Sequence, residues 1–254
     1  MNNQIRQQYE KHYASKVPDF LREVGEINAA GIPDPHLPLW GNGYEFAEPK
    51  IVFIGQDTAY WGDMNAFRET AKHDLHAAIF GHEDVFRDLL FTRWTNNFGT
   101  TFWDTVMQFL AVFHNIPDWQ QLKRRERDDI LQTFVWAQTN AVELWGSTPS
   151  KEGADFEAWK TFKTASERQL DSFASILDIF RPHLAIVLNW TVRDEYWDLP
   201  LQWERIGDYV DYAFDASHST HVFHTAHPTF LRGERRSAVF ETISRQWNSV
   251  YNAQ

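Results

Sequence analysis

The chain has 254 residues, no cysteine and a formal net charge of -11, with 12 Trp and 20 Phe. The missing thiols exclude disulfides, thiolate zinc sites, iron–sulfur clusters and a cysteine nucleophile, and the acidic balance argues against a general polyanion binder while leaving room for a local basic groove. The length fits one α/β domain with insertions, and no window reaches the ~18 apolar residues of a membrane span, so a cytoplasmic protein is expected.

In chain order, residues 3–28 read as two short helices broken near Pro18, followed by the Pro-spaced lead-in GIPDPHLPLWGNGYEFAEP, which is not expected to hold regular structure. Lys50 to Ile54 is a compact β-branched run, the pattern of a strand buried on both faces. Residues 61–98 mix polar and aromatic side chains and read as an insertion carrying one or two helices. Thr101 to Phe113 has apolar residues at helical spacing, and Phe134 to Gln138 is a second strand ending in Thr139-Asn140. A long periodic helical stretch over 154–181 stops at Pro182, before a third strand, Leu184 to Leu188. Val222 to Thr225 is the fourth strand and runs into Ala226-His227-Pro228, and a helix follows Gly233.

Strands alternating with helices predict a three-layer αβα sandwich around a mainly parallel four-stranded sheet. It forms one domain over residues 1–254, with an N-terminal helical and Pro-rich extension (1–49) and the insertion at 61–98. In such sheets ligands bind beyond the carboxyl ends of the strands. Polar residues suited to chemistry stand there: Gln56 and Asp57 after the first strand, Asn140 after the second, His227 after the last.

Gly55-Gln56-Asp57, Asn140 and His227-Pro228-Thr229-Phe230-Leu231, in that order and at strand ends, resemble the motifs of the uracil-DNA glycosylase superfamily, whose first motif reads Gly-Gln-Asp-Pro-Tyr-His and whose last reads His-Pro-Ser-Pro-Leu-Ser. The resemblance extends over residues 50 to about 240 and includes NNFGTTFWDTV, where Phe98 matches a stacking aromatic. It implies hydrolysis of the N-glycosidic bond of a flipped uracil or 5-substituted pyrimidine in DNA, with no cofactor and no metal. Asp57 would stabilise the oxocarbenium-like sugar and orient water, and His227 would donate to the departing base. Gln56, Phe98 and Asn140 would hold the base, with Asn140 offering both donor and acceptor to its edge. Leu231 would be the wedge that enters the duplex, and Arg232, Arg235 and Arg236 would contact phosphates.

The chain departs from the family where Pro-Tyr is replaced by Thr58-Ala59, with Tyr60 one position late. In the family that Tyr blocks 5-methyl groups. Ala59 in its place would admit thymine or a larger pyrimidine, whereas Tyr60 would preserve uracil selectivity. Every candidate also has a plainer reading: Asp57 a helix cap, Asn140 a turn residue, Phe98 and Leu231 core, the arginines a solvated helix face with Glu234 and Glu241. A binding module for a free base or nucleotide, with turnover altered or lost, is the competing class. His218, His221, His224 and His227 recur every third residue, but on an extended chain neighbours in that series point to opposite faces, which disfavours a metal site.

Overall fold

A computed structural model describes residues 4–55, 62–82, 101–116, 124–142, 154–170, 173–189 and 201–251. Gln56, Asp57, Tyr60 and Phe98 lie outside them. The centre is a seven-stranded mixed sheet. Four strands, β2 (Ile51–Gly55), β3 (Phe134–Gln138), β4 (Leu184–Leu188) and β7 (Thr220–Thr225), pair in parallel in the order β3-β2-β4-β7. Three more are antiparallel additions: β1 (Leu39–Trp40) beside β3, and the hairpin β5 (Glu204–Gly207) and β6 (Val210–Asp215) beside β7.

The four-stranded expectation therefore covers the parallel core and misses the margins. The parallel strands are buried along their whole length; β2 and β4 read as continuous apolar runs, β3 as one that ends in Gln138, while β7, THVFHT, buries two Thr and two His around Val222-Phe223. The hairpin carries exposed Glu204 and Arg205 and buries Val210, Ala213 and Asp215 in an irregular alternation, so no apolar run announces it. β1 is two residues held between Pro38 and Gly41.

Alternation along the strands splits the core into two layers. Val52, Ile54, Val135, Ala137, Ala185, Val187 and Val222 face one side. There they meet α1 (Gln4–Val24), α2 (Met64–His73), α3 (Leu75–Phe80), α6 (Ala154–Gln169) and α7 (Phe173–Phe180). Ile51, Phe53, Phe134, Trp136, Leu184, Ile186, Leu188 and Phe223 face the other, against α4 (Thr101–Phe113), α5 (Arg124–Leu131) and α8 (Glu234–Tyr251).

Three local expectations are corrected by this packing. Where two short helices were expected over 3–28 there is one, Gln4–Val24, because Tyr9, Tyr13, Val17, Phe20 and Val24 recur at helical spacing and are all buried, which outweighs the backbone hydrogen bond lost at Pro18. The stretch over 154–181 is divided at Leu170 into α6 and α7, although its apolar spacing runs on. α5, with the sequence RRERDDIL, was not expected, since only its last two residues are apolar. Among the described residues no helix is long and apolar enough to cross a membrane.

At the opposite end of the sheet from the strand carboxyl ends, the turn between β6 and β7 carries a pH-sensitive tie. His218 bonds the Asp215 carboxylate through Nδ1 and lies 3.1 Å from Asp178 Oδ1 of α7 through Nε2. Carboxylates only accept, so the ring makes both bonds when it is an imidazolium. Burial disfavours that charge, but the hydrogen bonds to Asp215 and Asp178 and their negative charges outweigh it and raise the pKa above 6.5. The stabilisation is full below pH 6.5 and is lost as pH rises through the raised value. His218→Asn is expected to lower stability by about 1 kcal/mol below pH 6.5, with Asp178 largely exposed, and by less in alkaline buffer. Thermal melts across pH measure this; a loss that grows with pH would contradict it.

Candidate active site at the carboxyl edge of the sheet

The strand order creates the site. From β2 the chain moves to β3 on one side, and from β4 to β7 on the other, so the carboxyl ends of β2 and β4 stand at the switch point of the strand order, where sheets of this kind bind ligands. The end of β2 is held tightly: the Thr139 N–H donates to Gly55 C=O at 2.7 Å. The Gln138 carboxamide lies so close that a Cβ on Gly55 would fall 2.4 Å from its Oε1. A side chain at this position would have to displace the Gln138 carboxamide.

The connection that follows Gly55 returns at Gly62, equally constrained. Gly62 has φ 59°, and a Cβ there would fall 2.2 Å from an oxygen of Asp34. Met64 N–H donates to Ile32 C=O at 3.0 Å, and Asp34 pairs with His82 Nε2 at 3.1 Å. Gly55 and Gly62 are thus both held against buried structure.

Asn140 is 8% exposed in the turn after β3. Its loop is clamped on both sides: His36 N–H donates to Ala141 C=O at 2.6 Å, and Val142 N–H to Ser166 Oγ at 3.3 Å. His36 is buried against Trp136, ring centroids 4.4 Å apart, and burial, helped by the charge of His82, lowers its pKa to about 3. It stays neutral.

His227 is the candidate side chain best defined by its surroundings. Thr229 N–H points at Nδ1 from 3.3 Å and the Thr229 hydroxyl lies 2.8 Å away. A backbone N–H can only donate, so Nδ1 accepts and the neutral ring carries its proton on Nε2. Burial lowers the pKa, keeping the ring neutral. Phe102, in the first turn of α4, lies 6.2 Å away in a tilted contact. Protonating Nδ1 would set two donors against each other, so activity should hold as pH falls through 6.5 and drop only below it. Thr229→Ala, which loses the hydroxyl but keeps the N–H, should slow catalysis roughly two- to tenfold without moving the acid limb far. A pH–rate profile checks both.

Residues that sequence reasoning missed complete the edge. Asn189, directly after β4, donates its N–H to Thr225 C=O at 3.1 Å and its side-chain amide to Thr139 Oγ1 at 3.3 Å, tying three strand ends together. The rule that placed Asn140 also reaches Asn189, since each follows an apolar strand. Gln138 Oε1, Thr225 Oγ1 and both ring nitrogens of His224 are buried with no hydrogen-bond partner among the described residues. His224 stands 3.7 Å from Asp211, which pairs bidentately with Arg205 at 2.5 and 3.1 Å, and burial lowers its pKa to about 4 against the pull of Asp211. Buried polar atoms of this kind cost about 1–3 kcal/mol each when unsatisfied, and they cluster at the strand ends.

Two residues expected to meet DNA have other partners in this structure. Leu231 is fully buried with Val239, Ile243 and Phe109, so in this structure it is core and not a presented wedge. Arg236 is held by Asp104 of α4 at 2.5 Å and is only 17% exposed, which takes it from the phosphate-contact set. Arg232 and Arg235 are exposed. The histidine series follows the strand: His221 meets Tyr212 and Trp247 on the α8 face, whereas His224 lies on the opposite face near Trp203. Among the described residues no three metal-ligating side chains converge. No protein-family model, curated protein or solved structure matches the chain.

Proposed function

We propose that the chain is a DNA glycosylase of the uracil-DNA glycosylase type, hydrolysing the N-glycosidic bond of a flipped uracil or 5-substituted pyrimidine. The observation that carries this reading is His227: a neutral imidazole with its proton on Nε2, following β7 at the end of the sheet where β2 also finishes and where Asn140 stands in the turn after β3.

In the reaction the N1–C1′ bond breaks and its electron pair leaves with the base, while water adds to C1′. The Nε2–H of His227 donates to the base oxygen as negative charge builds there, an interaction stronger in the transition state than in the ground state. Asp57 faces the positive sugar and accepts the water proton, and the base anion takes a proton from solvent. Asn140 reads the pyrimidine edge through its amide, on a loop that cannot easily shift. The 5-position is judged by Ala59 or Tyr60. The reading calls for neither metal nor cofactor.

Purified protein is incubated with oligonucleotides carrying uracil, mismatched thymine, hydroxymethyluracil or hypoxanthine, and abasic sites are revealed by alkaline cleavage. Release of one or more pyrimidines supports the reading, and no release from any substrate defeats it. Hydroxymethyluracil release would place Ala59 at the 5-position; uracil alone would place Tyr60 there.

The net charge of -11, the burial of Leu231 and the capture of Arg236 by Asp104 favour a second reading, a binding module for a free base or nucleotide. A nucleobase that raises Tm in the absence of any DNA affinity would select it.

A further inference from the structure

Beside His227 three elements bring together exposed Tyr209 and Arg235 with half-buried Phe230, a cluster apart from the proposed base site. Tyr209 is the second residue of the two-residue turn between β5 and β6, Phe230 follows His227 by three positions, and Arg235 is in the first turn of α8. The Tyr209 and Phe230 rings meet edge to face with centroids 5.5 Å apart. The Arg235 guanidinium lies over both, 4.8 Å from the Phe230 centroid and 5.8 Å from that of Tyr209. Arg232 is exposed in the same loop and donates through Nε to Thr229 C=O at 3.0 Å.

Two features set this apart from ordinary surface packing. Tyr209 is 37% exposed at the turn tip. It also has φ 65°, in the left-handed region that glycine and asparagine occupy with less strain. A tyrosine there keeps an aromatic face on the surface at a backbone position that disfavours it.

We infer that Tyr209, Phe230 and Arg235 form a stacking platform for an unpaired nucleobase of single-stranded DNA, adjoining the nucleotide whose base enters the crevice; this rests on the glycosylase reading. Aromatic rings and a guanidinium plane bind any base through its π face, and stacking tolerates sequence. The local charges decide the mode. Arg232 and Arg235 are opposed by exposed Asp208 and Glu234 within an acidic protein, so phosphate attraction is weak and stacking must dominate. A single strand offers such faces, whereas a closed duplex hides them. The platform therefore predicts preference for single strands and a shallow salt dependence, with a log–log slope of magnitude no more than about 1.4, two phosphates' worth.

The test is fluorescence anisotropy of the full chain with a labelled single-stranded oligonucleotide lacking uracil, beside its duplex, across salt. Wild type should bind the single strand more tightly. Tyr209→Asn, which suits the left-handed backbone, should leave Tm unchanged and weaken single-strand binding roughly five- to hundredfold. Arg235→Gln should weaken it as well. Equal affinity for both strand forms, a steep salt slope, or full single-strand affinity in Tyr209→Asn would overturn the platform. Uracil release measured on the same preparations separates the two ideas. Release with unchanged Tyr209→Asn binding defeats the platform alone; loss of binding without any release in wild type defeats the glycosylase reading alone.

Discussion

His227→Ala is expected to slow base release roughly 10²- to 10³-fold, the effect of removing one donor from a developing anion in a water-poor site. Its hydrogen bonds are local to the loop, to Thr229 two residues on, so Tm should change little. His227→Gln keeps a donor near the same place and should recover part of the loss. Asp57→Asn removes the charge opposite the sugar and the acceptor for the water proton, and a comparable fall, roughly 10²- to 10⁴-fold, is expected. The double variant should be less impaired than the product of the singles, because groups acting in one transition state are not additive. Single-turnover kinetics on a uracil-containing oligonucleotide measure all of these. Wild-type rates in either single variant would remove the proposed mechanism.

Leu231→Ala separates two roles that the motif alone leaves confounded. A wedge on the surface would give a variant that melts normally and flips bases poorly. The structure places Leu231 at 0% exposure in the layer under α8, and truncating a side chain there costs about 2–5 kcal/mol. For a domain of this size that lowers Tm by roughly 4–20 °C. The expected result is thus a destabilised protein whose activity per folded molecule, measured well below Tm, remains near normal. An unchanged Tm with lost activity on duplex substrate would restore the wedge and require the loop to open on binding DNA.

The same contrast runs through the molecule. The parallel strands were legible because burial on both faces demands uninterrupted apolar runs such as IVFIG and LAIVL. The edge hairpin was not, because one face is wet and its residues carry Arg205 and Asp211, whose pairing is only visible across strands. Pro18 suggested a break that the buried stripe of α1 overrides. At the site, the chemical identity of His227 and Asn140 and their positions after strands were readable, but the tautomer of His227 depends on where the Thr229 N–H points. That Asn189 joins β3, β4 and β7 depends on strand order, which composition does not encode.

By itself the sequence determined the alternation of helices with apolar strands, the exclusion of thiol chemistry, and which polar residues stand where those strands end. Those properties are local: they follow from side-chain size, polarity and spacing along one segment. Tertiary structure alone decided that β2 lies between β3 and β4, at the switch point of the strand order, that Leu231 and Arg236 belong to the core and to Asp104, and that Tyr209 meets Phe230 and Arg235 beside His227. Each of those rests on partners distant in the chain, chosen by the joint packing of two apolar layers on one sheet, which no single segment carries in its own pattern.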